Sequence, residues 1–397
     1  MALPGRETRG TPSPAEQPAT VGVTRVDELE LAAGWVFGRT PAPPVPRTGG
    51  ARVVLEQVVR ESLAVAPTFV GFSGGRDSSL VLAVAAHVAR RDGLPLPVPL
   101  TLTFPGVEGA DESEWQELVL DHLGLPDRVV VPVHDEMRLL GDLARSGLER
   151  RGLLFPAVAQ ADAVRLVHAT GGHLLTGEGG DDVLNRRRGT PLHLLRRRLA
   201  TPALPSRRLL AEAGRALRPV ATLPRDRYLG VMPPWLRADA AREAARRLAA
   251  DDASPLRWDR GVTRLLGSRA TQVVLGNLAA VAREHDVTYV HPLLDPRFVG
   301  ALAHDGGAWG YAGRTDVLRR LAGDLLPDPV LARTSKAWFN ATRWGPEERE
   351  VARRWDGSGV DPELVDHDEL RAAWASPVPP AAAELLLHAA WLGTRGA

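Results

Sequence analysis

The chain has 397 residues and a net charge of +1, so charge gives no ground for bulk nucleic-acid binding. Its 44% hydrophobic content is normal for a globular protein, and the length predicts two or three domains or one large core with additions. The absence of cysteine excludes disulfides, thiolate metal sites and a cysteine nucleophile. No apolar stretch suits a transmembrane helix or a signal peptide, so we expect a soluble, cytoplasmic protein.

The first half of the chain predicts an α/β fold. Residues 1–50 are rich in Pro, Gly and Thr and predict a flexible leader, with an apolar island at 29–37 as a short docking segment. In residues 51–190, an amphipathic helix at 53–65 precedes alternating elements, with strands at 68–73, 97–104, 128–133 and 173–176. This alternation predicts a parallel sheet with ligands at the carboxyl ends of its strands.

The second half changes character. Arg/Ala/Leu segments with helical periodicity at 192–218, 236–250 and 262–285 have no clear strand between them and predict a mostly helical lobe over residues 191–397. We expect further surface helices at 360–397, and earlier helices at 135–148 and 156–170. The arginine clusters at 186–188, 196–198 and 207–208 are typical of a solvated helix face, or of a surface for an acidic peptide, tRNA or a carrier protein.

The first chemical motif is FVGFSGGRDSSL at residues 69–80. A predicted buried strand runs into Ser73, Gly74 and Gly75, and Asp77 opens a helix. Two adjacent glycines allow a tight turn that brings backbone N–H groups close to a ligand, and a helix N-terminus adds partial positive charge. No Gly-Lys-Ser/Thr follows, so this is not a Walker loop. The motif predicts a phosphate-binding loop, and the alternative is an ordinary strand-to-helix turn.

The second motif is LLTGEGGDD at residues 174–182, where a predicted strand again meets glycines and then carboxylates. Hard oxygen ligands, with one or two from the protein and the rest from water and phosphate, are what Mg²⁺ prefers. Asp181 and Asp182 therefore suit a magnesium site, and the alternative for this pair is a helix N-cap.

Together the two motifs resemble the SGGxDSS and GEGGDE segments of the N-type ATP pyrophosphatases, most closely those of the asparagine synthetase family. The resemblance implies an adenine-nucleotide α-hydrolase-like (PP-loop) core, with Asp77 and Asp181 binding Mg²⁺. It also implies that ATP is bound by Ser73, Gly74, Gly75, Asp77, Ser78, Ser79, Thr103, Phe104 and Gly177. Asp111 and Glu112, which follow Thr103 and Phe104, are expected to be an acid pair at a helix N-terminus and not ligands.

Two further segments resemble the family. In VTYVHPLLD, residues 287–295, Thr288 stands where amide-forming relatives usually have an acid. Either another group, such as Glu284 or His291, transfers the proton, unless His291 is only structural, or the substrate amine needs less help. In RTSKAWF, residues 333–339, Lys336 matches the family lysine that stabilises developing phosphate charge. Arg333 and Glu178 are the other catalytic candidates.

The resemblance implies an AMP- and pyrophosphate-forming amide synthetase that adenylates a small-molecule or peptide carboxylate and transfers it to ammonia or an amine. Without a cysteine the chain has no glutaminase nucleophile, so nitrogen comes from solution, from a separate amidotransferase, or from a substrate amine. The last case resembles β-lactam synthetase and the lasso-peptide cyclases, which belong to natural-product pathways. A resemblance to the cyclases implies a partner that binds a precursor peptide. A tRNA-modifying adenylase and a non-catalytic ATP-binding subunit are two further candidates, although neither membrane nor nucleic-acid binding is expected.

Overall fold

The structure is a computed structural model that describes residues 22–46, 49–65, 67–107, 109–202, 204–218, 226–335 and 340–395. Within these residues, five parallel strands form one sheet in the order β3-β2-β1-β4-β5. The strands are β1 (Thr68–Gly71), β2 (Val98–Thr103), β3 (Val129–Pro132), β4 (His173–Leu175) and β5 (Thr288–Val290). The predicted α/β fold with a parallel sheet is confirmed.

The strand order places a topological switch between β1 and β4. The chain continues from β1 to β2, which lies on one side of β1, and then to β3. β4 pairs with the other side of β1, in register through Phe69↔Leu174 and Val70↔Leu175. In an open parallel sheet such a switch leaves a crevice at the carboxyl ends of the two strands. Both sequence motifs follow these strands directly, so the fold brings them to the same crevice.

Helices surround the sheet. In the first half of the chain they are α1 (Glu28–Ala33), α2 (Ala51–Leu63), α3 (Arg76–Asp92), α4 (Ser113–Leu123), α5 (Asp142–Arg151), α6 (Ala163–Leu166), α7 (Gly180–Val183) and α8 (Thr190–Leu199). In the second half they are α9 (Arg207–Leu217), α10 (Asp226–Leu229), α11 (Ala238–Asp251), α12 (Trp258–Thr263), α13 (Arg269–Arg283), α14 (Pro296–Gly306), α15 (Arg314–Ala322), α16 (Asp328–Ala332), α17 (Pro346–Arg354), α18 (His367–Ala375) and α19 (Glu384–Gly393).

The sheet is covered on both faces. Leu174 and Leu175 are adjacent in β4 and fully buried, yet they belong to different apolar clusters, because successive strand residues point to opposite faces. Leu175 packs with α2, α3 and α14, and Leu174 packs with residues around α6 and α13. Burial on both faces is typical of parallel sheets and holds the strand ends in fixed positions.

A separate apolar cluster, which we name the C-terminal core, joins α1 to the end of the chain. It is built around Trp235, Trp374 and the apolar side chains of α19, and it includes Leu29 and Phe37 from the N-terminal island. α19 is almost entirely buried. The expectation of surface helices over 360–397 is therefore wrong for α19, whose continuous apolar sequence needs burial on every side.

Several predicted elements differ from the observed ones. β5 was not predicted, because three residues are too few for a periodic signal. The predicted helix at 156–170 is a 3₁₀ turn, Ala157–Ala161, followed by the short α6, and the helix predicted at 135–148 begins later, at Asp142. The predicted segment 192–218 is the hairpin of α8 and α9, because Pro202 and Pro205 interrupt the helix.

Candidate active site

The glycine loop follows β1 and ends at the first turn of α3. Gly74 has φ +80, a left-handed conformation that suits glycine, and Gly75 is the extended N-cap of α3 without a side-chain cap. Ser78 Oγ accepts from the Ser73 N–H at 3.3 Å and donates to the Gly75 carbonyl at 3.0 Å. The loop is thus held by its own serines. It leads into the 17-residue helix α3, whose N-terminus has no side-chain cap and can bind an anion.

The second loop, after β4, lies directly against the first. A Cβ atom on Gly177 would come within 2.7 Å of Ser78 N, and one on Gly180 would come within 2.2 Å of Asp77 Cγ. Side chains at these positions would collide with the glycine loop. The glycines of the second motif are therefore required by the contact between the loops, and they bring Asp181 close to Asp77.

Asp77 and Asp181 are joined by one arginine from a distant helix. The Arg314 guanidinium, at the start of α15, donates from one nitrogen to Asp77 Oδ2 and from another to Asp181 Oδ1. Asp77 and Arg314 are mostly buried, whereas the Asp181 side chain is about half exposed. Burial raises the pKa of Asp77, and Arg314 opposes this rise. Two carboxylates thus share one cation, and Asp77 Oδ1 is buried without a hydrogen-bond partner.

Two arginines occupy first-turn positions where a helix dipole disfavours cations. Arg76 begins α3 and Arg314 begins α15, and the two guanidinium groups are close enough to repel each other. Burial, followed by this repulsion, lowers the pKa of Arg76. Arg76 has no carboxylate hydrogen bond within the described residues. Arg76 and the two helix N-termini leave positive charge at the crevice, which favours binding of an anion.

A cavity opens beside the glycine loop at the end of β2. Its volume is about 490 Å³, and it is lined by Leu102, Thr103, Phe104, Pro105, Gly106, Val107, Ala110, Asp111, Glu112, Ser113 and Gln116. Gln116 Nε2 lies 3.4 Å from the Ser73 carbonyl and so connects this cavity to the loop. Thr103 and Phe104 therefore lie where a group attached to a loop-bound phosphate would extend.

Arg333 connects the glycine loop to Glu112. Its guanidinium donates to Glu112 Oε1 at 2.7 Å and to the Gly74 carbonyl at 3.1 Å, and it lies 4.5 Å from the centre of the Trp115 ring. Both ionic side chains are buried. Arg333 is thus fully engaged with the protein, which suits a positioning role. The two acids expected at this helix N-terminus have different partners. Glu112 binds Arg333, whereas Asp111 accepts from the Ser113 N–H at 2.9 Å.

Glu178 lies in the second loop, three residues before Asp181. Its side chain is open to solvent, but desolvation by the surrounding walls raises its pKa. Arg165 lowers the pKa, and the carboxylates of Asp182, Asp181 and Asp77 raise it further. A carboxylate in this environment holds a proton at higher pH than usual, which is a property of acid–base groups.

The structure separates the candidates for proton transfer in the third segment. Thr288 pairs with His173 at the amino end of the sheet, and Glu284 forms an ion pair with the buried Arg151 in the same region, so neither reaches the crevice. His291 lies at the carboxyl end, where its Nδ1 is 2.7 Å from Thr176 Oγ1. Burial lowers the pKa of His291 to about 4, and its Nε2 is buried without a partner.

The remaining expected site residues have different positions. Ser79 is fully buried and its N–H donates to the Gly75 carbonyl, so it lies beneath the loop. Lys336 lies outside the described residues. Sequence reasoning missed Arg76, Arg314 and Gln116. An arginine at the first position of a predicted helix was an available signal, since it runs against the helix dipole.

The residues present fit a magnesium ion accompanied by phosphate. Within the described part of the chain, no group of three or more His, Asp or Glu side chains forms a metal cluster. Mg²⁺ needs only one or two protein carboxylates when phosphates and water supply the other ligands. Asp77, with its unpartnered buried oxygen, and the nearby Asp181 meet that requirement.

A glycine loop after β1 and a carboxylate loop after β4, on a parallel sheet, define an adenine-nucleotide α-hydrolase-like fold. Residues 50–391 match the family described as asparagine synthase. This is most of the chain, which therefore belongs to the asparagine synthase family, a family of ATP-dependent, amide-forming synthetases. The resemblance inferred from the motifs is confirmed.

Similarity to individual proteins adds little. No curated protein matches. Among solved structures, the chain is similar to the U34-tRNA thiolase NcsA of Methanococcus maripaludis, with 14% identity over 54% of this chain and 78% of that chain, and a TM-score of 0.22. A likeness of this size carries no functional argument. Separately, no helix in the described ranges is long and apolar enough to cross a membrane.

Proposed function

We propose that this protein is an AMP- and pyrophosphate-forming amide synthetase. The substrate carboxylate attacks the α-phosphorus of ATP, the bond to pyrophosphate breaks, and an acyl-adenylate forms. Ammonia or an amine then attacks the acyl carbon, and AMP leaves with the bonding electrons while the amine proton passes to a base. The product is an amide.

The observation that carries the proposal is the convergence of Arg76, Arg314 and two helix N-termini on the crevice. Both arginines begin their helices, and Arg314 contacts the acidic loop. Two guanidinium groups held near each other in a half-buried crevice are stabilised by a polyanion, and pyrophosphate has the required charge. Positioning and charge neutralisation are what nucleotidyl transfer mostly requires.

Asp77 and Asp181 are the residues that would hold Mg²⁺, which supplies charge neutralisation on the phosphates when bound. In the described structure Arg314 neutralises the same two carboxylates. Arg314 therefore keeps the acidic pair compatible with a folded crevice. With Mg²⁺ bound, the carboxylates would be neutralised by the metal ion, and the Arg314 guanidinium could bind phosphate oxygens.

Glu178 is our proposed proton acceptor for the attacking amine. Its carboxylate is exposed on the loop that carries Asp181, and its pKa is raised by desolvation and by neighbouring carboxylates. A raised pKa makes a carboxylate a better base for an ammonium or amine proton. Thr288 and Glu284 lie at the opposite end of the sheet, which leaves Glu178 and His291 for this role, and the buried His291 has a lowered pKa.

The proposal is tested by ATP–pyrophosphate exchange, which reports the first step alone and depends on the carboxylate offered. Aspartate, other small acids and acidic peptides are offered in turn, with product nucleotides separated to distinguish AMP from ADP. Asp77→Asn should lower exchange by about a hundredfold or more, because it removes a carboxylate that would hold Mg²⁺ on the phosphates. Lys336→Ala should reduce exchange while ATP binding, measured by calorimetry, persists.

Asp328→Asn is the matched control, since this aspartate pairs with Arg319 on the surface. It should leave exchange unchanged. Release of ADP instead of AMP would contradict the proposal, as would equal exchange by the Asp77→Asn protein. ATP binding without exchange for any acid would identify a non-catalytic nucleotide-binding subunit instead.

A further inference from the structure

The hairpin of α8 and α9, with the residues that flank it, carries a charge that the rest of the chain does not share. Residues 186–218 contain ten arginines and one acidic residue, Glu212. This is a local charge of +9 in a chain with a net charge of +1. We name these residues, apart from residue 203, the arginine hairpin. Such a concentration produces a strong local field that attracts negatively charged partners.

Most arginines of the hairpin lack a carboxylate partner. Arg208 pairs with Glu212 at 2.9 Å, and no other arginine of the described hairpin has an ion pair. α11 differs sharply, because its arginines pair with Asp239 and Glu243 on the same helix. An ordinary solvated helix is typically stabilised by such pairs. The missing acids therefore indicate that negative charge is supplied from outside.

Exposed leucines lie among these arginines. Leu199 is 66% exposed and Leu204 is 88% exposed at the tip of the hairpin, and Leu210 and Leu217 are exposed on α9. On α9, Leu210, Gly214 and Leu217 are spaced at i, i+4 and i+7 and so share one face, and space is open above Gly214. This face is both cationic and apolar, which favours a ligand with carboxylates and apolar side chains.

The hairpin begins at the rim of the crevice. Arg187 donates to the Asp182 carbonyl, and a Cβ atom on Gly313 would lie 3.4 Å from Arg186 Nε. Arg188 connects the start of α8 to the end of α9 by donating to the Ala216 carbonyl at 3.0 Å. A ligand on the hairpin would therefore be held beside the loop that carries Asp181 and Asp182.

The segments of the sequence that lie outside the described residues offer little negative charge. The segments outside the described residues are neutral or basic, except for the single Glu108: residues 1–21 contain two arginines and two glutamates, and residues 219–225 contain one arginine and no acid. The hairpin also suits polypeptide better than RNA. Single-stranded RNA is bound by aromatic stacking platforms, whereas the apolar groups here are leucines, and the nearby Trp309 is covered by Arg196 at 5.0 Å.

We propose that the arginine hairpin docks an acidic, leucine-bearing polypeptide segment of another molecule beside the crevice. Carboxylates of the segment pair with exposed arginines such as Arg207, Arg215 and Arg218. Its apolar side chains cover Leu210 and Leu217. The docking surface is separate from the groups that bind ATP, so it operates whether or not the adenylation chemistry is the one proposed above.

Binding is tested by fluorescence anisotropy on the full chain with a labelled synthetic peptide of glutamate and leucine. A peptide with glutamine in place of glutamate, a single-stranded RNA of equal length and anionic vesicles are the comparison probes. The acidic peptide should bind at least about tenfold more tightly than the glutamine peptide. A variant with Arg197→Gln, Arg207→Gln, Arg215→Gln and Arg218→Gln should lose about tenfold or more of this affinity.

A variant with Arg242→Gln, Arg246→Gln, Arg353→Gln and Arg354→Gln removes the same number of charges from paired arginines. It should bind the acidic peptide like the wild type, and Leu210→Gln with Leu217→Gln should weaken binding several-fold. Circular dichroism verifies folding of each variant. Equal loss in both arginine variants, no preference for the acidic peptide, or tighter binding of RNA or vesicles through the hairpin would overturn the proposal. Self-association of the chain through these arginines would also overturn it.

Discussion

The crevice and the C-terminal core treat buried carboxylates in opposite ways. In the C-terminal core, Glu348 accepts from the Leu140 N–H at 2.7 Å and the Gly345 N–H at 2.8 Å, and Glu384 pairs with Arg343 at 2.9 Å. In the crevice, Asp77 and Asp181 share Arg314, and Asp77 Oδ1 has no partner. A buried oxygen without a partner costs folding free energy. The crevice thus retains binding capacity that the core has used for stability.

The largest expected effect is a loss of stability in the C-terminal core, where the buried carboxylates have partners. Glu348→Ala leaves two N–H groups in the C-terminal core without an acceptor, so we expect the free energy of unfolding to fall by about 3 kcal/mol. Urea unfolding followed by circular dichroism measures this change. Glu348→Gln keeps an acceptor oxygen and should lose clearly less. The interpretation fails if the alanine and glutamine proteins are equally stable.

The second prediction concerns pH and the C-terminal core. His388 is fully buried and its Nε2 is 2.7 Å from the Leu139 carbonyl, and burial lowers its pKa from 6.5 to about 4. Below pH 6.5 the unfolded chain gains a proton that the folded protein does not take up until about pH 4. The free energy of unfolding should therefore fall through this range, by up to about 3 kcal/mol.

Urea unfolding at a series of pH values measures this dependence. His388→Gln can keep a donor near Leu139 and does not titrate, so its stability should change less between pH 6.5 and 4. An identical pH profile for the two proteins would show that His388 does not carry the effect.

The smallest expected effect concerns the crevice, where it is a change in affinity for Mg²⁺ and pyrophosphate. Arg314→Gln removes the guanidinium that competes for Asp77 and Asp181, so Mg²⁺ should bind the ATP-free protein about tenfold more tightly. At the same time the KM for pyrophosphate in the exchange reaction should rise, because a phosphate-binding cation is lost. Calorimetry and exchange kinetics measure the two quantities. Arg319→Gln, on the outer side of the same helix, is the control. Unchanged values for both quantities would contradict the proposed role of Arg314 in binding carboxylates and phosphate.

The two loops and the parallel sheet were predictable because their signals are local. Adjacent glycines after an apolar strand and alternation of strand and helix need only neighbouring residues, and the loops do meet at the switch between β1 and β4. The pairing of Arg314 with Asp77 was not predictable, because the two residues are 237 positions apart. The same holds for Arg333 and Glu112, which are 221 positions apart. The three-residue β5 is too short for a periodic pattern.

The distance along the chain between Arg314 and the carboxylates has a consequence for biosynthesis. The glycine loop and the acidic loop emerge from the ribosome long before α15, so a growing chain carries Asp77 and Asp181 without the Arg314 guanidinium that joins them. Closing such a long loop is entropically costly, and parallel strands add further non-local steps. We therefore expect the crevice to be completed late in folding. Chains that end before residue 314 would contain both motifs and still lack this cation of the site.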